Sequence, residues 1–472
     1  MIGYMARASS RGSALSSVEP KGAKSGAKSF RSPRPDATRM LAFQVFTEVN
    51  RHGAYANLLL PRELSESSLE TRDRAFATEL VYGALRMQGR HDWILSQVSD
   101  RPWERVDSGI VDVARLGVHQ LFEMRVPDHA AVSATVELAR KVLGDSRATY
   151  VNALLRKVSA RSLSQWLEPL QNMRDVVARY AIEYSHPEWI VSAYFDLLRE
   201  KEEVIQALNA NNIPASPTLV SWPGRSTQAD LLALGGSPTK YSPYGATLVG
   251  VPGELDLVRS RRAGVQDEGS QIVAMTFAAA ASQKSDWLDL CAGPGGKAAL
   301  LSSIAVQSGK GFVANEISPA RAKLVEQVVV DGQVWVGDGR DVIDRRELFG
   351  AVIADVPCTG IGALRRRPEI RWRRQPSDLA ALTQLQRELL DGAISVADTG
   401  GVIAYVTCSP HIAETRVQVI DALKRHSNIR QIPVQQYLPT NLEGAVVGDA
   451  MQLWTHRHGT DAMFMALFER VS

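Results

Sequence analysis

Two of the chain's three cysteines each follow a hydrophobic segment and stand beside a proline, in Asp355-Val-Pro-Cys358 and Thr407-Cys-Ser-Pro410. A buried cysteine is more often an inert apolar residue than a nucleophile, but this repeated setting at two strand ends favours chemistry. Attack by a Cys358 or Cys408 thiolate on carbon-6 of a cytosine would make carbon-5 enamine-like and able to accept a methyl cation equivalent. That chemistry also needs a carboxylate near N3 and the amino group of the ring, which Asp355 can supply.

A glycine-rich turn, Asp289-Leu-Cys-Ala-Gly-Pro-Gly-Gly-Lys297, links a predicted strand to a predicted helix. Glycines at such a turn let backbone N–H groups approach a ligand closely, and the helix N-terminus favours the anionic end of that ligand. Gly293-x-Gly295-x-x-Ala298 satisfies the loose dinucleotide fingerprint, with Glu316 at a suitable distance for ribose hydroxyls. A nicotinamide enzyme therefore stays open at this point, whereas the spacing excludes a phosphate-binding P-loop.

Three acidic residues, Glu316, Asp338 and Asp355, end successive predicted strands. A single acid in this position is usually a helix cap. A nucleoside-bearing cofactor, however, offers a ribose diol, an adenine amino group and an ammonium, all of which a carboxylate can bind. Three acids on consecutive strands beside a glycine loop therefore favour a cofactor site over three caps.

An arginine-rich tract surrounding Trp372 follows Cys358, with arginines at positions 365, 366, 367, 371, 373 and 374. A run of charge is usually a solvated face, which remains the alternative here. Guanidinium groups around a stacking ring, close to a candidate nucleophile, suit contacts with phosphates and bases. We therefore predict RNA contacts from Arg365, Arg366, Arg367, Arg371, Trp372 and Arg373.

The elements that must position these residues alternate between strands and helices from Trp287 onward. This alternation predicts a mostly parallel sheet with helices on both faces, in which ligands bind beyond the carboxyl ends of the strands. The predicted strands are Trp287–Cys291, Gly311–Glu316, Val334–Gly337, Ala351–Asp355 and Val402–Thr407. The predicted helices are Lys297–Gln307, Pro319–Val330, Gln375–Ala397 and Glu414–His426. The glycine loop, the acids and both cysteines fall at strand ends.

The rest of the chain divides into three predicted segments before a catalytic domain over residues 261–472. Residues 1–33 are rich in Ser, Gly, Ala, Lys and Arg, which predicts a disordered basic tail, although a transit peptide has the same composition. Residues 34–160 have helical periodicity throughout and predict an all-α bundle. Residues 161–260 predict linker helices and a small α/β subdomain, with strands Thr218–Trp222 and Thr247–Val251 on either side of helix Gln228–Leu234.

Composition bounds the class of protein. The chain has 472 residues, of which 45% are apolar and 22% charged, with a net charge of +3. It has no stretch of eighteen apolar residues, so we expect no membrane span. Three scattered cysteines are too few for a disulfide framework or a zinc site of Cys spacing. We therefore expect a multidomain, monomeric, cytoplasmic protein without a metal.

The motifs together resemble those of the Fmu/Sun (RsmB) family of bacterial ribosomal RNA cytosine-5 methyltransferases. The resemblance rests on the glycine-rich turn, Asp355-Val-Pro-Cys358 and Thr407-Cys-Ser409, with support from Gln266-Asp-Glu-Gly-Ser-Gln271 and Arg365-Arg-Arg-Pro-Glu-Ile-Arg-Trp372. The helices, including Tyr150-Val-Asn-Ala-Leu-Leu-Arg-Lys157, resemble the NusB-like RNA-binding domain of that family.

This resemblance implies a Rossmann-like methyltransferase domain that uses S-adenosyl-L-methionine to methylate RNA, and it points to small-subunit ribosomal RNA. It implies Cys408 as nucleophile and Cys358 as the thiol that helps release the product, with Asp355 and Lys297 completing the catalytic set. The residues that it implies as cofactor contacts are Cys291, Ala292, Gly293, Pro294, Gly295, Gly296, Lys297, Glu316, Asp338 and Asp355.

The chain also departs from the family pattern. Glu316 stands where the family more often has Asp, strand Thr218–Trp222 lacks an expected Arg-Val-Asn, and the acidic run after Cys408 is thinned to Glu414. Two other functions stay open: a dinucleotide-dependent oxidoreductase, and a non-catalytic RNA-binding or antitermination protein. The second of these predicts degraded cofactor and cysteine motifs, whereas both motifs are intact here.

Overall fold

Helices occupy the first part of the chain in the computed structural model. The structure describes residues 36–248, 250–439, 441, 442 and 444–472, so the predicted tail over residues 1–33 lies outside the described residues. Asp36 caps the first helix by accepting a hydrogen bond from the backbone N–H of Thr38 at 2.9 Å. The helices bury their apolar faces against one another, as predicted for an all-α bundle. They are α1 to α6: Ala37–Arg51, Ala56–Glu66, Thr71–Val98, Ser108–Phe122, Asp128–Leu143 and Asp145–Val158.

Linker helices and a small antiparallel sheet follow. The helices are α7 to α10: Leu163–Leu167, Val176–Glu183, Glu188–Leu198 and Lys201–Asn212. The elements of the subdomain are β1 Thr218–Ser221, α11 Gln228–Ala233, β2 Ser237–Pro238, β3 Gly245–Thr247, α12 Asp256–Arg259 and β4 Ala263–Val265, in the order β2-β3-β1-β4. The strand predicted over Thr247–Val251 lies earlier, because its pairing with β1 begins at Gly245.

A larger sheet forms the C-terminal part, in the order β11-β12-β13-β9-β8-β5-β6-β7, with β10 paired to β13. Strands β5 to β9 run parallel, and β13 is antiparallel to both β9 and β10. The strands are β5 Trp287–Asp289, β6 Phe312–Glu316, β7 Gln333–Val336, β8 Phe349–Asp355, β9 Ala397–Thr407, β10 Ile429–Ile432, β11 Val446–Val447, β12 Ala450–Gln452 and β13 Phe464–Arg470. The structure confirms the predicted multidomain fold with a mostly parallel C-terminal sheet.

Helices cover both faces of this sheet. The helices of this part are α13 Glu268–Ala280, α14 Gly296–Gln307, α15 Pro319–Glu326, α16 Ile370–Arg373, α17 Asp378–Ser395, α18 Arg416–Arg425 and α19 Thr455–His458. Short 3-10 helices also occur, at Trp103–Arg105, Glu168–Asn172, Pro252–Glu254, Gly339–Arg345, Ile361–Ala363, Ile412–Glu414 and Val434–Tyr437. Consecutive residues of one strand pack on opposite faces, since Trp287 contacts the core beneath α13 and α14 while Leu288 contacts the core beneath α17.

Several predicted elements are longer or shorter than expected. Strand β5 ends at Asp289 instead of Cys291, because the glycine loop begins directly after it. Helix α15 ends at Glu326 instead of Val330.

In the part of the chain that the structure describes, no helix is long and apolar enough to cross a membrane. No group of three or more His, Cys, Asp or Glu side chains there could hold a metal ion.

Candidate active site

The candidate residues lie just beyond one edge of the large sheet. Asp289, Glu316 and Asp355 are the last residues of β5, β6 and β8, and Cys408 follows Thr407 at the end of β9. Because these strands are parallel, their carboxyl ends meet at the same edge. The structure therefore brings the glycine loop, the acids and the two cysteine-bearing loops together.

An ion pair joins Lys297, in the first turn of α14, to Asp355. The Nζ atom of Lys297 lies 2.7 Å from Oδ2 of Asp355 and 3.4 Å from Oγ of Ser270. Burial lowers the pKa of Lys297, but the Asp355 carboxylate outweighs it and the net pKa is raised. Lys297 therefore keeps a positive charge inside the site, and that charge acts on Cys408 as well.

Cys408 is a free thiol with cations nearby. Burial raises the pKa of the Cys408 thiol well above its usual value, and the acid Asp461 and the second cysteine, Cys358, add to the rise. Arg366 and Lys297 oppose it, because positive charge stabilises a thiolate. Cys408 thus has two cations that act to stabilise its charged form.

Cys358 has acids as neighbours instead. Burial raises the pKa of the Cys358 thiol to about 12, and the carboxylates of Glu414 and Asp355 contribute to the rise. The backbone N–H groups of Gly360 and Cys408 act in the opposite direction. The two cysteines therefore share one site, and both have acids nearby, but cations oppose the rise in pKa only at Cys408 of the two.

Glu316 fixes the conformation of the glycine loop. Its buried carboxylate accepts hydrogen bonds from the backbone N–H groups of Gly293 at 3.0 Å and Ser318 at 2.9 Å. A Cβ atom at Gly293 would lie 2.1 Å from Oε2 of Glu316 and would displace that carboxylate, while Gly295 has φ +112°, which favours glycine. The longer side chain of Glu316 thus reaches the loop itself, and an ion pair with Arg321 at 3.5 Å supports it.

Asp289 is a site residue that the sequence reasoning missed. Its side chain is buried, and neither carboxylate oxygen accepts a hydrogen bond of normal geometry, although the amide of Cys291 lies nearby. Burial raises the pKa of Asp289 to about 7, and the negative charge of Asp355 adds to the rise. A buried carboxylate without partners is costly, so it calls for a donor or a cation. Its position directly before the glycine loop was the available signal.

Asp338 acts as a cap in this structure. It accepts a hydrogen bond from the backbone N–H of Arg340 at 3.0 Å, at the start of the 3-10 helix Gly339–Arg345. The Arg340 guanidinium also binds its carboxylate, at 2.6 Å, and this hydrogen bond lowers the pKa of Asp338. The cofactor contact of Asp338 stays a prediction, and it would have to compete with Arg340.

The arginine-rich tract corrects one prediction. Arg371 is fully buried and donates hydrogen bonds to the backbone oxygens of Ser185 at 2.8 Å, Arg86 at 3.2 Å and Asn211 at 3.2 Å, and to Oδ1 of Asn212 at 2.9 Å. Because its guanidinium is enclosed by protein oxygens, the predicted RNA contact of Arg371 is wrong. Arg371 joins the catalytic domain to the preceding helices.

The residues after Arg371 have the same kind of partners. The Nε1–H of Trp372 donates to the backbone oxygen of Leu85 at 2.7 Å, and the Arg373 guanidinium donates to that of Ala54 at 2.7 Å. Their polar groups therefore serve the joint with the helices, and neither side chain is fully exposed. For Trp372 or Arg373 to contact RNA through these polar groups, its hydrogen bond to the helices would have to break and be replaced by one to RNA.

The first arginines of the tract pair with acids near Cys408. Arg365 donates to Oδ2 of Asp267 at 3.2 Å, and Arg366 donates to Oδ1 of Asp461 at 2.9 Å. Both acids are buried. Arg367 instead lies over the ring of Tyr55 at 4.9 Å. Asp461 was not found from the sequence, because nothing local marks a lone acid 95 residues after its partner.

Comparisons with known proteins agree with this arrangement. The model of the 16S rRNA methyltransferase RsmB/F family matches residues 275–469, and that of the NusB family matches residues 36–160. A Mycobacterium tuberculosis protein named as a methyltransferase is 42% identical over 446 residues, which cover 93% of this chain and 97% of that protein. Ribosomal RNA small subunit methyltransferase B of Pseudomonas putida is 30% identical over 416 residues, which cover 84% and 90%. The crystal structure of PH0851 has the same fold, with a TM-score of 0.75, 19% identity and coverage of 91% and 99%.

Fold and site together define a Rossmann-like methyltransferase preceded by a NusB-like helical domain. The similarity to the relatives extends over nearly the whole chain and includes both domains. The chain therefore belongs to the RsmB/F family of 16S rRNA methyltransferases, and the resemblance found in its motifs is confirmed.

Gly362 provides a test of the site geometry. Its N–H donates to the backbone oxygen of Cys408 at 3.1 Å, and a Cβ there would lie 2.3 Å from the oxygen of Ala462. Because backbone atoms cannot yield easily, Gly362→Ala should displace the Cys408 turn at a cost of about 1–3 kcal/mol and lower the methyl-transfer rate about tenfold. Gly253→Ala, where nothing lies within 4 Å, is the control for rate and thermal midpoint. Wild-type turnover in Gly362→Ala would show that the turn tolerates displacement.

Proposed function

We propose that this protein transfers a methyl group from S-adenosyl-L-methionine to carbon-5 of a cytosine in small-subunit ribosomal RNA, through a covalent bond between Cys408 and the cytosine. The main support is that Cys358 and Cys408 share one site with the Lys297–Asp355 pair, and that Arg366 and Lys297 act to lower the pKa of the Cys408 thiol. Membership of a 16S rRNA methyltransferase family agrees with the substrate class, and the P. putida relative carries the corresponding name.

The residues of the glycine loop fit a nucleoside cofactor with a cationic end. The loop from Cys291 to Lys297 offers backbone N–H groups, and a Cβ at Gly296 would have nothing within 4 Å, which leaves room beside the loop. The unpartnered carboxylate of Asp289 suits the ammonium of an amino acid, Glu316 binds the loop, and Asp338 follows β7, the strand beyond β6. When bound, the cofactor supplies an electrophilic methyl group.

Cys408 is the proposed nucleophile. Arg366 and Lys297 stabilise its thiolate, which donates an electron pair to carbon-6 of the ring and forms the C6–S bond. Carbon-5 then carries the electron density that methylation requires. The Asp355 carboxylate, held by Lys297, accepts a hydrogen bond from the exocyclic amino group of the same ring.

Cys358 is the proposed base for product release. After methyl transfer, carbon-5 carries both the methyl group and its original proton. The Cys358 thiolate takes that proton, the C5–H electron pair forms the C5=C6 double bond, and the C6–S pair returns to Cys408. A pKa raised to about 12 makes the Cys358 thiolate a strong base. Cys358 has lost its own proton to solvent beforehand, so one proton is released for each methyl group transferred.

The helical domain over residues 34–160 is the proposed RNA-binding module. The side chains of Arg365, Arg366 and Arg367 are partly exposed, with Arg366 acting on Cys408 and Arg367 lying over Tyr55 of the helices, and they are the proposed RNA contacts nearest to the site. Bisulfite sequencing of ribosomal RNA from a deletion strain and its parent tests the function. One cytosine methylated only in the parent is expected, and identical methylation in both would reject the proposal. Calorimetry with S-adenosylmethionine and with NAD separates it from the oxidoreductase alternative.

Asp289 gives the proposed cofactor site a pH signature. Its pKa of about 7 means that the free protein protonates Asp289 as the pH falls below 7, and the neutral acid attracts a cation less. S-adenosylmethionine affinity should therefore fall from pH 8 to pH 6. Asp289→Asn should lower affinity about 10- to 100-fold at pH 8 and remove this part of the pH dependence.

Calorimetry on the wild type and on Asp289→Asn across this pH range compares the two affinities. Any ionisation of the cofactor itself affects both proteins equally, so it cancels in the comparison. An affinity in Asp289→Asn equal to that of the wild type at pH 8 would show that the carboxylate serves another purpose.

A further inference from the structure

A buried side-chain network surrounds the loop that carries Cys358, and its centre is Glu414. The Glu414 carboxylate is fully buried and accepts hydrogen bonds from the backbone N–H of Thr359 at 2.8 Å, from Oγ1 of Thr359 at 2.5 Å and from Nε2 of Gln386 at 3.0 Å. All three partners are donors. A carboxylate satisfies them together because it has only acceptor sites.

The network holds Cys358 from both sides. Thr359, the next residue, is bound by Glu414 directly. Pro357, the preceding residue, is bound through Gln386, whose Nε2 donates to the Pro357 backbone oxygen at 2.9 Å. Glu414 and Gln386 therefore fix the backbone on either side of the Cys358 thiol.

The same network reaches the loop of the second cysteine. Oγ1 of Thr359 lies 3.2 Å from Oγ of Ser409, the residue after Cys408. The Tyr405 hydroxyl, on β9, donates to the backbone oxygen of Glu414 at 2.8 Å and lies 3.2 Å from Oε1 of Gln386. The relative position of the two cysteine loops thus depends on one set of buried bonds.

We propose that Glu414 is a positioning residue that holds Cys358 where it can take the carbon-5 proton and so sets the rate of product release. This inference rests on the proposed function of Cys358. It also explains the presence of Glu414, the acid that remains after Cys408. Glu414 has no proposed contact with the cytosine ring and does not lie in the glycine loop. The cations that act on the Cys408 thiol, Arg366 and Lys297, lie on other elements, so a change of Glu414 leaves them in place.

Glu414→Gln tests the proposal, because it replaces the charge-assisted bonds of a carboxylate with weaker neutral ones and makes the Thr359 hydroxyl accept a hydrogen bond where it donated one. The Cys358 loop is then held less firmly, and turnover should fall about 10- to 100-fold. The decisive measurement is the fraction of protein joined to RNA on a denaturing gel. It should rise while turnover falls, because attack and methylation continue and release stalls.

A merely structural role predicts a different result, in which the adduct and turnover decline together. Thr359→Val, which removes one bond to Glu414, should show a milder version of the same accumulation, and Thr359→Ser should retain more turnover than Thr359→Val. Exposed Glu347→Gln is the matched control. The double variant Glu414→Gln/Cys358→Ser should accumulate no more adduct than Cys358→Ser alone, because both changes act on one step.

The outcomes separate this inference from the proposed function. If neither wild type nor Cys358→Ser forms an RNA adduct or 5-methylcytosine, the proposed function fails. If Cys358→Ser accumulates adduct while folded Glu414→Gln does not, the mechanism stands and the positioning role of Glu414 is rejected. Wild-type turnover in Glu414→Gln also rejects it.

Discussion

Replacing Cys408 with serine should abolish methylation and leave no protein joined to RNA. A serine hydroxyl is almost never ionised at neutral pH, so the electron pair that attacks carbon-6 is lost and turnover should fall by about three orders of magnitude or more. Arg366 and Lys297 are the local source of activation that a thiol at this position needs, because burial alone opposes ionisation. Incubation with RNA and S-adenosylmethionine, followed by a denaturing gel, measures the adduct.

Cys358→Ser should fail in the opposite way. Attack and methylation proceed, but the carbon-5 proton has no thiolate to take it, so protein covalently joined to RNA accumulates. The double variant Cys358→Ser/Cys408→Ser controls for non-specific cross-linking and should form no adduct. DNA cytosine methyltransferases use the cysteine of a Pro-Cys motif, which here is Cys358. A shifted band from Cys408→Ser, and none from Cys358→Ser, would therefore exchange the two roles.

The fold could be predicted because its signals are local. Alternation of short apolar runs with helical periodicity identifies β5, β6, β8 and β9, and each run is followed by the turn residues that end it. The errors in the predicted element bounds occur where pairing between distant strands decides where an element begins or ends. Strand β3 begins at Gly245 because β1 pairs with it there, which no local pattern indicates.

The site was predictable where residue type and strand end coincide. Cys358, Cys408 and Asp355 have that signature, and the parallel sheet then brings them together. Asp461 and Glu414 have no such mark, since their role depends on partners 95 and 55 residues away along the chain. Sequence also cannot distinguish an arginine that grips phosphate from one that is enclosed by protein, because both stand in the same charged run.

The distinction between an arginine that binds phosphate and one enclosed by protein has its largest expected effect on stability at Arg371. Its guanidinium supplies donors to four oxygens of the helices before the catalytic domain, including those of Ser185 and Arg86. Arg371→Ala should leave these buried acceptors unpaired and a cavity beside them. We expect a loss of about 3 kcal/mol in the free energy of unfolding and a fall of about 5–10 °C in the thermal midpoint.

Arg371→Lys should also destabilise, because an ammonium cannot reproduce the planar fork that reaches several acceptors at once. Exposed Arg72→Ala, in α3 of the helices that Arg371 contacts, is the control of equal charge change and should leave the thermal midpoint unchanged. A solvent-exposed arginine that grips RNA predicts the reverse pattern: an unchanged midpoint, weaker RNA binding and a flatter dependence on salt. Scanning calorimetry and RNA titrations at two salt concentrations, on the same variants, decide whether Arg371 stabilises the contact between the domains or binds RNA phosphates.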